Sequence, residues 1–233
     1  MLDMDFINLG RTNYQDALEI QEYRHHQVST GVLPEAIYLL EHPHILTMGR
    51  RTNPGNCLNT NGPDGTSIEL VRTNRGGDIT YHGPGQLIGY PILDLRQRGN
   101  DLHLYLRNLE NCLMEALSDV NVESFKRRGF TGVWTSKGKI ASIGIGVRRW
   151  TTMHGFALNI CTDLRYFDLI RPCGISDCKM VSLTEILGHP LTVAQFIPIV
   201  QKHLRATLQC KHVIQHQNQV SSGFLTPLLK QPA

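Results

Sequence analysis

Apolar side chains recur at helical spacing near the middle of the chain. From residue 102 to residue 117 the apolar positions follow one another at steps of three, one, three, three, one, three and one. These positions are Leu102, Tyr105, Leu106, Leu109, Cys112, Leu113, Ala116 and Leu117. Because an α-helix has about 3.6 residues per turn, this spacing predicts a helix with one buried face over residues 102–117.

Two further helices are predicted from a threonine followed three residues later by a glutamine. Thr12 with Gln15 and Thr192 with Gln195 match the capping box with which many helices begin. The first helix is predicted to continue to about residue 28. The second carries Phe196, Ile197, Val200, His203 and Leu204.

Strand patterns and turn residues fill most of the remaining sequence. The predicted strands are residues 36–40, 44–48, 133–134, 140–147 and 156–160. Residues 52–66 are rich in Asn, Gly, Pro and Asp, so we expect an exposed loop without chemistry there. Because the strands cluster in hairpins, the fold is predicted to be α+β or mixed α/β, with a largely antiparallel sheet flanked by helices.

Chain length and charge narrow the class of protein. With 233 residues, the chain is long enough to bury a core, and we expect residues 1–233 to form a single domain. The net charge is +3, and the short basic runs at 126–128 and 148–149 do not suggest a nucleic-acid partner. No secretory signal or apolar stretch of roughly 20 residues is present, so we expect a cytoplasmic protein without a membrane partner.

One cysteine stands apart from the others as a candidate nucleophile. Cys112 and Cys161 lie in apolar stretches and are predicted to be core residues. Cys173 lies between a proline and a glycine in RPCGIS, where a substrate can approach the thiol. Cys178 has no neighbouring Cys or His set of the kind that binds zinc, so no metal site is predicted.

A cysteine nucleophile requires a base or a cation beside it. An unperturbed thiol, with a pKa of about 8.5, is only a few per cent thiolate at neutral pH. Lys139 follows a predicted turn, and His82 and His154 each precede a glycine. The ordinary alternatives are an exposed lysine and histidines with a structural role. Sequence spacing does not indicate which of Lys139, His82 and His154 lies beside the thiol. His25 and His26 are predicted to lie on an exposed helix and to have no role.

Glycine is concentrated in the sequence RGGDITYHGPGQ, residues 75–86. Glycine is used where φ is positive or where another group must approach the backbone closely. Two tight turns around a short strand would explain the pattern. A wall against which a substrate lies is the alternative.

Several motifs in fixed order give the chain a specific resemblance. RGGDITYHGPGQLIGYPILDL, GVWTSKGKIASIGIGV, HGFALNI and RPCGI, preceded by EHPHILTMGR, resemble the lipoate-protein ligase B family. These enzymes are octanoyl-(acyl carrier protein):protein N-octanoyltransferases. The resemblance covers about residues 74–182 and implies the catalytic-domain fold of biotin and lipoate protein ligases, which is related to class II aminoacyl-tRNA synthetases.

The resemblance also implies roles for individual residues. Cys173 matches the acyl-accepting cysteine, and Lys139 matches the lysine that lowers the pKa of that thiol. The implied substrate-binding residues are Arg75, Gly76, Gly77, Asp78, Ile79, Thr80, Tyr81, His82, Ser142, Ile143, Gly144, Gly155, Phe156 and Ala157. The loop glycines would let the backbone run alongside an acyl chain and the lysine arm that receives it.

The implied reaction moves octanoyl from octanoyl-acyl carrier protein, through a thioester on Cys173, to the ε-amine of a lysine in an apo lipoyl domain. The implied acceptors are the lipoyl domains of 2-oxoacid dehydrogenase E2 subunits and the glycine cleavage H protein. Neither ATP, a metal nor another cofactor is required. Acyl carrier protein is acidic as a class, so residues 126–128 or 148–149 are candidates for docking it.

Three alternatives remain open at this point. An ATP-dependent lipoate or biotin ligase shares the implied fold but would activate a free acid as an adenylate. An amidotransferase that moves the acyl group between two protein lysines would also use a cysteine. A non-catalytic module that binds acyl groups or lipoyl domains would not require a nucleophile.

Overall fold

The structure is built around a mixed β-sheet. The computed structural model describes residues 4–171, 178–208 and 214–215. The strands in this part of the chain are β1 (Met4–Arg11), β2 (Glu35–Glu41), β3 (Ile45–Met48), β4 (Glu69–Arg72), β5 (Ile79–His82), β6 (Gln86–Ile92), β7 (Gly132–Thr135), β8 (Gly138–Arg148), β9 (Thr151–Asn159) and β10 (Ile214–Gln215). Seven of them form the large sheet, in the order β10-β1-β2-β6-β9-β8-β7. β1 is parallel to both of its neighbours, and the other pairs are antiparallel.

A small second sheet carries the glycine-rich segment. Its strand order is β4-β3-β5, with β3 parallel to β4 and antiparallel to β5. The backbone N–H of Gly76 donates to the carbonyl of Ile145 on β8 at 2.8 Å. The loop between β4 and β5 is thereby held against the large sheet.

Helices cover both faces of the large sheet. The described helices are α1 (Tyr14–Ser29), α2 (Leu102–Ser118), α3 (Leu183–Leu187) and α4 (Val193–Leu208). Successive strand residues point to opposite faces, and β6 shows this clearly. Leu87 packs in the apolar cluster that contains α2 and α4, whereas Ile88 packs in the cluster that contains α1.

Most of the predicted framework is confirmed. The fold is mixed, its sheet is largely antiparallel, and α2 has almost the predicted bounds. Thr192 and Gln195 make the reciprocal hydrogen bonds of a capping box, because the Thr192 N–H donates to the Gln195 side chain and the Gln195 N–H to the Thr192 hydroxyl.

Three local predictions are wrong. Thr12 does not cap α1, because the helix begins one residue later: Asn13 occupies the cap position, its carbonyl accepts from the N–H of Ala17, and its side chain makes no cap bond. His25 is buried, since its ring packs onto the distant 148–151 turn. Cys161 is exposed, because the apolar strand β9 ends before it.

The length and hydrophobicity of the described helices show whether one of them could span a membrane. None of those within residues 4–208 is both long enough and apolar enough to cross a lipid bilayer.

Candidate active site

Three segments that are distant in sequence meet at one cavity of about 770 Å³. This volume lies within the usual range for sites that bind small molecules. The sequence-predicted site residues that line it are 75–80, 82, 139, 142–144 and 155–157. Among the described residues, the structure therefore brings together those for which the resemblance implied a role, with the exception of Tyr81.

Tyr81 supports the wall from behind. Its ring stacks on Tyr166 at 5.0 Å between centroids, and its hydroxyl pairs with Nδ1 of His44 at 2.8 Å. The side chain is fully buried, and this burial raises the pKa of Tyr81 far above its ordinary value. Tyr81 thus holds β5 against the 164–169 turn without lining the cavity.

Cys173 lies outside the described residues. The described backbone on either side of it is anchored. The N–H of Arg171 donates to the carbonyl of Asn56 at 2.8 Å, and the carbonyl of Lys179 accepts from the N–H of Lys139 at 2.8 Å. The chain that flanks Cys173 is therefore fixed on one side near the glycine-rich loop and on the other side at Lys139.

Lys139 is a buried residue of the cavity wall and not an exposed hairpin lysine. Only 1% of its surface is accessible. Its ammonium lies 4.9 Å from the centre of the Trp134 ring, a geometry in which the ring face attracts a cation. Its carbonyl accepts from the N–H of Val181 at 3.0 Å. β8 therefore presents this amine to the cavity from a backbone that is paired with β7 on one side and bonded to residues 179–181 on the other.

Arg75 and Asp78 shape the loop between β4 and β5. The Arg75 guanidinium donates to the hydroxyl of Thr47 at 2.9 Å and to the carbonyl of Asp78 at 2.8 Å. The Asp78 carboxylate accepts from the side chain of Asn56 at 2.6 Å and from the N–H of Ile79 at 2.7 Å. Asn56 belongs to the loop for which no chemistry was expected, and it is nevertheless a buried support of the cavity wall.

Close backbone approach explains two of the predicted glycines. A Cβ on Gly155 would collide with the carbonyl oxygen of Gly89 on the neighbouring strand. A Cβ on Gly144 would lie 3.0 Å from the carbonyl oxygen of Gly76, the loop residue that pairs with β8. A side chain at either position would push apart the elements that enclose the cavity.

Buried histidines and tyrosines belong to the polar wall: His82, His154, Tyr14 and Tyr90 line the cavity, and His42 packs against Tyr90 without lining it. His82 Nδ1 bonds to Gln86 at 2.8 Å, and His42 bonds to the Tyr90 hydroxyl at 2.8 Å. Burial is the main cause that lowers the pKa of His82 to about 3 and that of His42 to about 4. Burial and then Arg75 lower the pKa of His154 to about 3. All three imidazoles are therefore neutral at pH 7.

Another part of the cavity lining, here called the apolar wall, is made of apolar side chains. Leu102 and Leu106 reach it from α2, Ile143 and Ile145 from β8, and Phe130 from the segment before β7. These side chains offer an acyl chain a surface without hydrogen-bonding groups.

Several lining residues carry no signal in the sequence pattern. Tyr14 lies near the start of the first predicted helix, and Arg50 and Arg51 follow the strand predicted over residues 44–48, yet all three line the cavity. Both arginines are exposed. Their backbone N–H groups donate to the carbonyls of Arg75 and Gly77, so the glycine-rich loop brings them to this position.

No metal site is evident in the part of the chain that the structure describes. There, no three side chains of His, Cys, Asp or Glu come together in a way that would hold an ion.

Comparison with known proteins gives a consistent picture. The family model described as "Lipoyl protein ligase A/B catalytic domain" matches residues 13–205. The octanoyltransferase of Syntrophotalea carbinolica is 50% identical over 206 residues, which cover 88% of this chain and 95% of the relative. The octanoyltransferase of Geobacter sulfurreducens is 50% identical over 192 residues, which cover 82% of this chain and 79% of the relative.

Solved structures share the fold at low sequence identity. Lipoate-protein ligase A bound with ATP superposes with a TM-score of 0.76 at 13% identity, covering 99% of this chain and 96% of that one. A putative lipoate protein ligase from T. acidophilum with bound lipoic acid gives a TM-score of 0.72 at 13% identity, covering 93% of this chain and 91% of that one. At this identity the similarity establishes the fold alone.

Proposed function

Because the chain belongs to the lipoyl protein ligase A/B catalytic domain family, we propose that it transfers octanoyl from octanoyl-acyl carrier protein to the ε-amine of a lysine in lipoyl domains. Cys173 carries the acyl group between donor and acceptor as a thioester. The acceptors are the lipoyl domains of 2-oxoacid dehydrogenase E2 subunits and the glycine cleavage H protein. The reaction uses neither ATP nor a metal.

The coarser part of this assignment is confirmed. The family match and the relatives at 50% identity named octanoyltransferase confirm the resemblance and the acyltransferase activity. The superposition on lipoate-protein ligases confirms the fold.

The observation that carries the finer proposal is a buried amine on the wall of a cavity whose other wall is apolar. Lys139 lines the same cavity as Leu102 and Leu106, and its backbone is bonded to Lys179 and Val181, a few residues beyond Cys173. An ammonium next to a thiol favours the thiolate form, which is the nucleophile. The apolar wall accommodates an octanoyl chain.

In the first half-reaction the Cys173 thiolate attacks the carbonyl carbon of the donor thioester. The bond from that carbon to the pantetheine sulfur breaks, and the departing sulfur takes a proton from Lys139. One thioester replaces another, so the step is nearly neutral in free energy.

In the second half-reaction the neutral ε-amine of the acceptor lysine attacks the acyl carbon of the Cys173 thioester. The carbon–sulfur bond breaks, Cys173 leaves as the thiolate, and the proton lost by the amine passes to Lys139. Each proton that Lys139 gives in the first half is thus returned in the second. Formation of an amide from a thioester drives the overall reaction.

The mouth of the cavity suits an acidic donor protein. Arg50 and Arg51 line it and are exposed, and their side chains have no hydrogen-bond or ion-pair partner among the described residues, although their backbone N–H groups donate to Arg75 and Gly77. Acyl carrier protein is acidic as a class, and unpaired arginines attract such a partner. These two residues are better placed at the cavity than the runs at 126–128 and 148–149.

Intact-protein mass after mixing with octanoyl-acyl carrier protein, without ATP, tests the proposal. We expect an adduct of about 126 Da on the wild-type chain, lost on adding apo lipoyl domain or hydroxylamine and not formed by Cys173→Ser. A wild-type chain that takes no acyl group from the carrier but modifies lipoyl domain with free octanoate and ATP would establish a ligase instead. Non-covalent retention of the acyl group by Cys173→Ser would indicate a binding module.

A further inference from the structure

A chain of four hydrogen-bonding groups fixes the proton on one buried histidine. The chain begins at the carbonyl oxygen of Val181, which only accepts, so the Asn159 group that bonds to it at 3.1 Å is the amide NH₂. The amide oxygen of Asn159 therefore faces Gln86, and the Gln86 NH₂ donates to it at 2.9 Å. The remaining Gln86 oxygen lies 2.8 Å from Nδ1 of His82. Nδ1 of His82 must consequently carry the hydrogen.

Because Nδ1 is protonated and His82 is neutral, Nε2 carries a free lone pair. Nε2 has no hydrogen-bond partner among the described residues, yet it is not one of their solvent-inaccessible unpaired atoms. His82 itself lines the cavity. The lone pair therefore opens onto the site of the reaction.

The hydrogen bonds of His154 do not determine which of its ring nitrogens carries the proton. Its Nε2 bonds to the side-chain oxygen of Asn74, and no further bond in the described residues fixes which way the Asn74 amide points. Of the two histidines that line the cavity, His82 and His154, only His82 has a tautomer that hydrogen bonds among the described residues determine.

The chemistry of the second half-reaction calls for an acceptor of this kind. The attacking lysine amine must be neutral, and its N–H groups need an acceptor that leaves the nitrogen lone pair directed at the thioester carbon. Lys139 has donors only when charged, and each oxygen of the Asp78 carboxylate already accepts one hydrogen bond, from Asn56 or from Ile79. Nε2 of His82 is an unoccupied acceptor on a buried, rigid support.

We propose that Nε2 of His82 accepts a hydrogen bond from the incoming lysine amine and orients it for attack on the Cys173 thioester. This inference rests on the proposed function and assigns His82 a catalytic role in one half-reaction. Attack by a thiolate involves no N–H group. The role is therefore specific to the amine acceptor and absent from exchange with the carrier thiol.

Two substitutions distinguish the roles of the two nitrogens of the His82 ring. His82→Asn keeps an N–H at the position of Nδ1 and removes the acceptor at Nε2, whereas His82→Gln places an amide oxygen near the position of Nε2. Each variant is first loaded with octanoyl. The acyl-enzyme is then mixed, in single turnover, either with apo lipoyl domain or with holo-acyl carrier protein, whose thiol takes the acyl group back.

We expect His82→Asn to slow transfer to the lipoyl domain about 10- to 100-fold more than transfer to the carrier thiol, as for loss of one buried hydrogen bond. His82→Gln should restore amine transfer to within about fivefold of wild type. Gln86→Met removes the hydrogen bond that fixes the proton on Nδ1 of His82. It should slow transfer to the lipoyl domain less than His82→Asn does.

Equal slowing of amine and thiol transfer in His82→Asn would overturn the inference, as would a His82→Gln enzyme no faster than His82→Asn toward the amine. If His82→Asn does not fold, the comparison of His82→Gln with Gln86→Met decides. A wild-type rate of transfer to the lysine amine in Gln86→Met, together with a slow rate of that transfer in His82→Gln, would contradict the role of Nε2. A wild-type chain that forms no octanoyl adduct would overturn the proposed function itself, and this inference with it.

Discussion

The apolar wall of the cavity and its polar wall differ in what holds their side chains in place. Leu102 and Leu106 on α2 are positioned by packing alone, on a helix whose apolar stripe continues into the core. Arg75 and His82 are positioned by directional hydrogen bonds to named partners. Packing tolerates changes of shape within limits, whereas removal of one partner from a buried hydrogen bond leaves the other unsatisfied. We therefore expect substitutions in the apolar wall to change which acyl chain is used, and substitutions in the polar wall to change rate or stability.

Lys139→Met gives the largest expected effect and isolates the chemistry of the polar wall. Methionine fills the buried space beside Trp134 but cannot exchange a proton or favour a thiolate. We expect the rate of octanoyl-enzyme formation to fall by about 10³-fold, as measured by intact mass over time. Lys137→Met, at an exposed position of the same hairpin, serves as the control.

The free energy of unfolding should not fall in Lys139→Met, because replacing a buried charge by an apolar side chain is often neutral or stabilising. An enzyme of unchanged rate would exclude Lys139 from the chemistry. Loss of rate accompanied by loss of stability would make its role structural.

Arg75→Lys tests the architecture of the polar wall. Lysine cannot reproduce the planar fork that reaches both Thr47 and the loop carbonyls. We expect the free energy of unfolding to fall by about 2–4 kcal/mol, measured by urea denaturation. Arg72→Lys, at an exposed position of β4, should change it by less than about 0.5 kcal/mol. Equal midpoints for the two variants would contradict the positioning role of Arg75.

The two walls also differ in how much of their structure can be predicted from the sequence. The face of α2 follows from residue spacing, because a helix buries a stripe wherever its neighbours lie. The capping box at Thr192 succeeds for the same local reason. At Thr12 the same pattern fails, since the Thr12 N–H still pairs with the carbonyl of Glu41 at the end of β2 and the helix begins only after Asn13.

The polar wall depends on pairing between distant segments. Outside the wall, His25 is buried for the same kind of reason, because the β8–β9 turn, more than 120 residues away, folds onto it. Asn56 supports the wall only because the loop that contains it meets Asp78. Burial of Lys139 follows from strand pairing with the segment after Cys173. Motif resemblance identified the residues of this wall, but neither composition nor periodicity gives their hydrogen bonds.

Leu106→Ala gives the smallest expected effect and tests the apolar wall. The substitution enlarges the cavity at its α2 side, where a longer acyl chain would otherwise meet the leucine. One methylene contributes about 0.8 kcal/mol on burial, so two added methylenes should raise kcat/KM for decanoyl- relative to octanoyl-acyl carrier protein about 5- to 15-fold. Leu104→Ala is the matched control, because that leucine is 51% exposed on the same helix. An unchanged ratio in Leu106→Ala would mean that the acyl chain does not reach α2. A lower rate for both chains at a constant ratio would place Leu106 in support of the helix, and the distinction between a wall that selects and a wall that reacts would then not hold at this position.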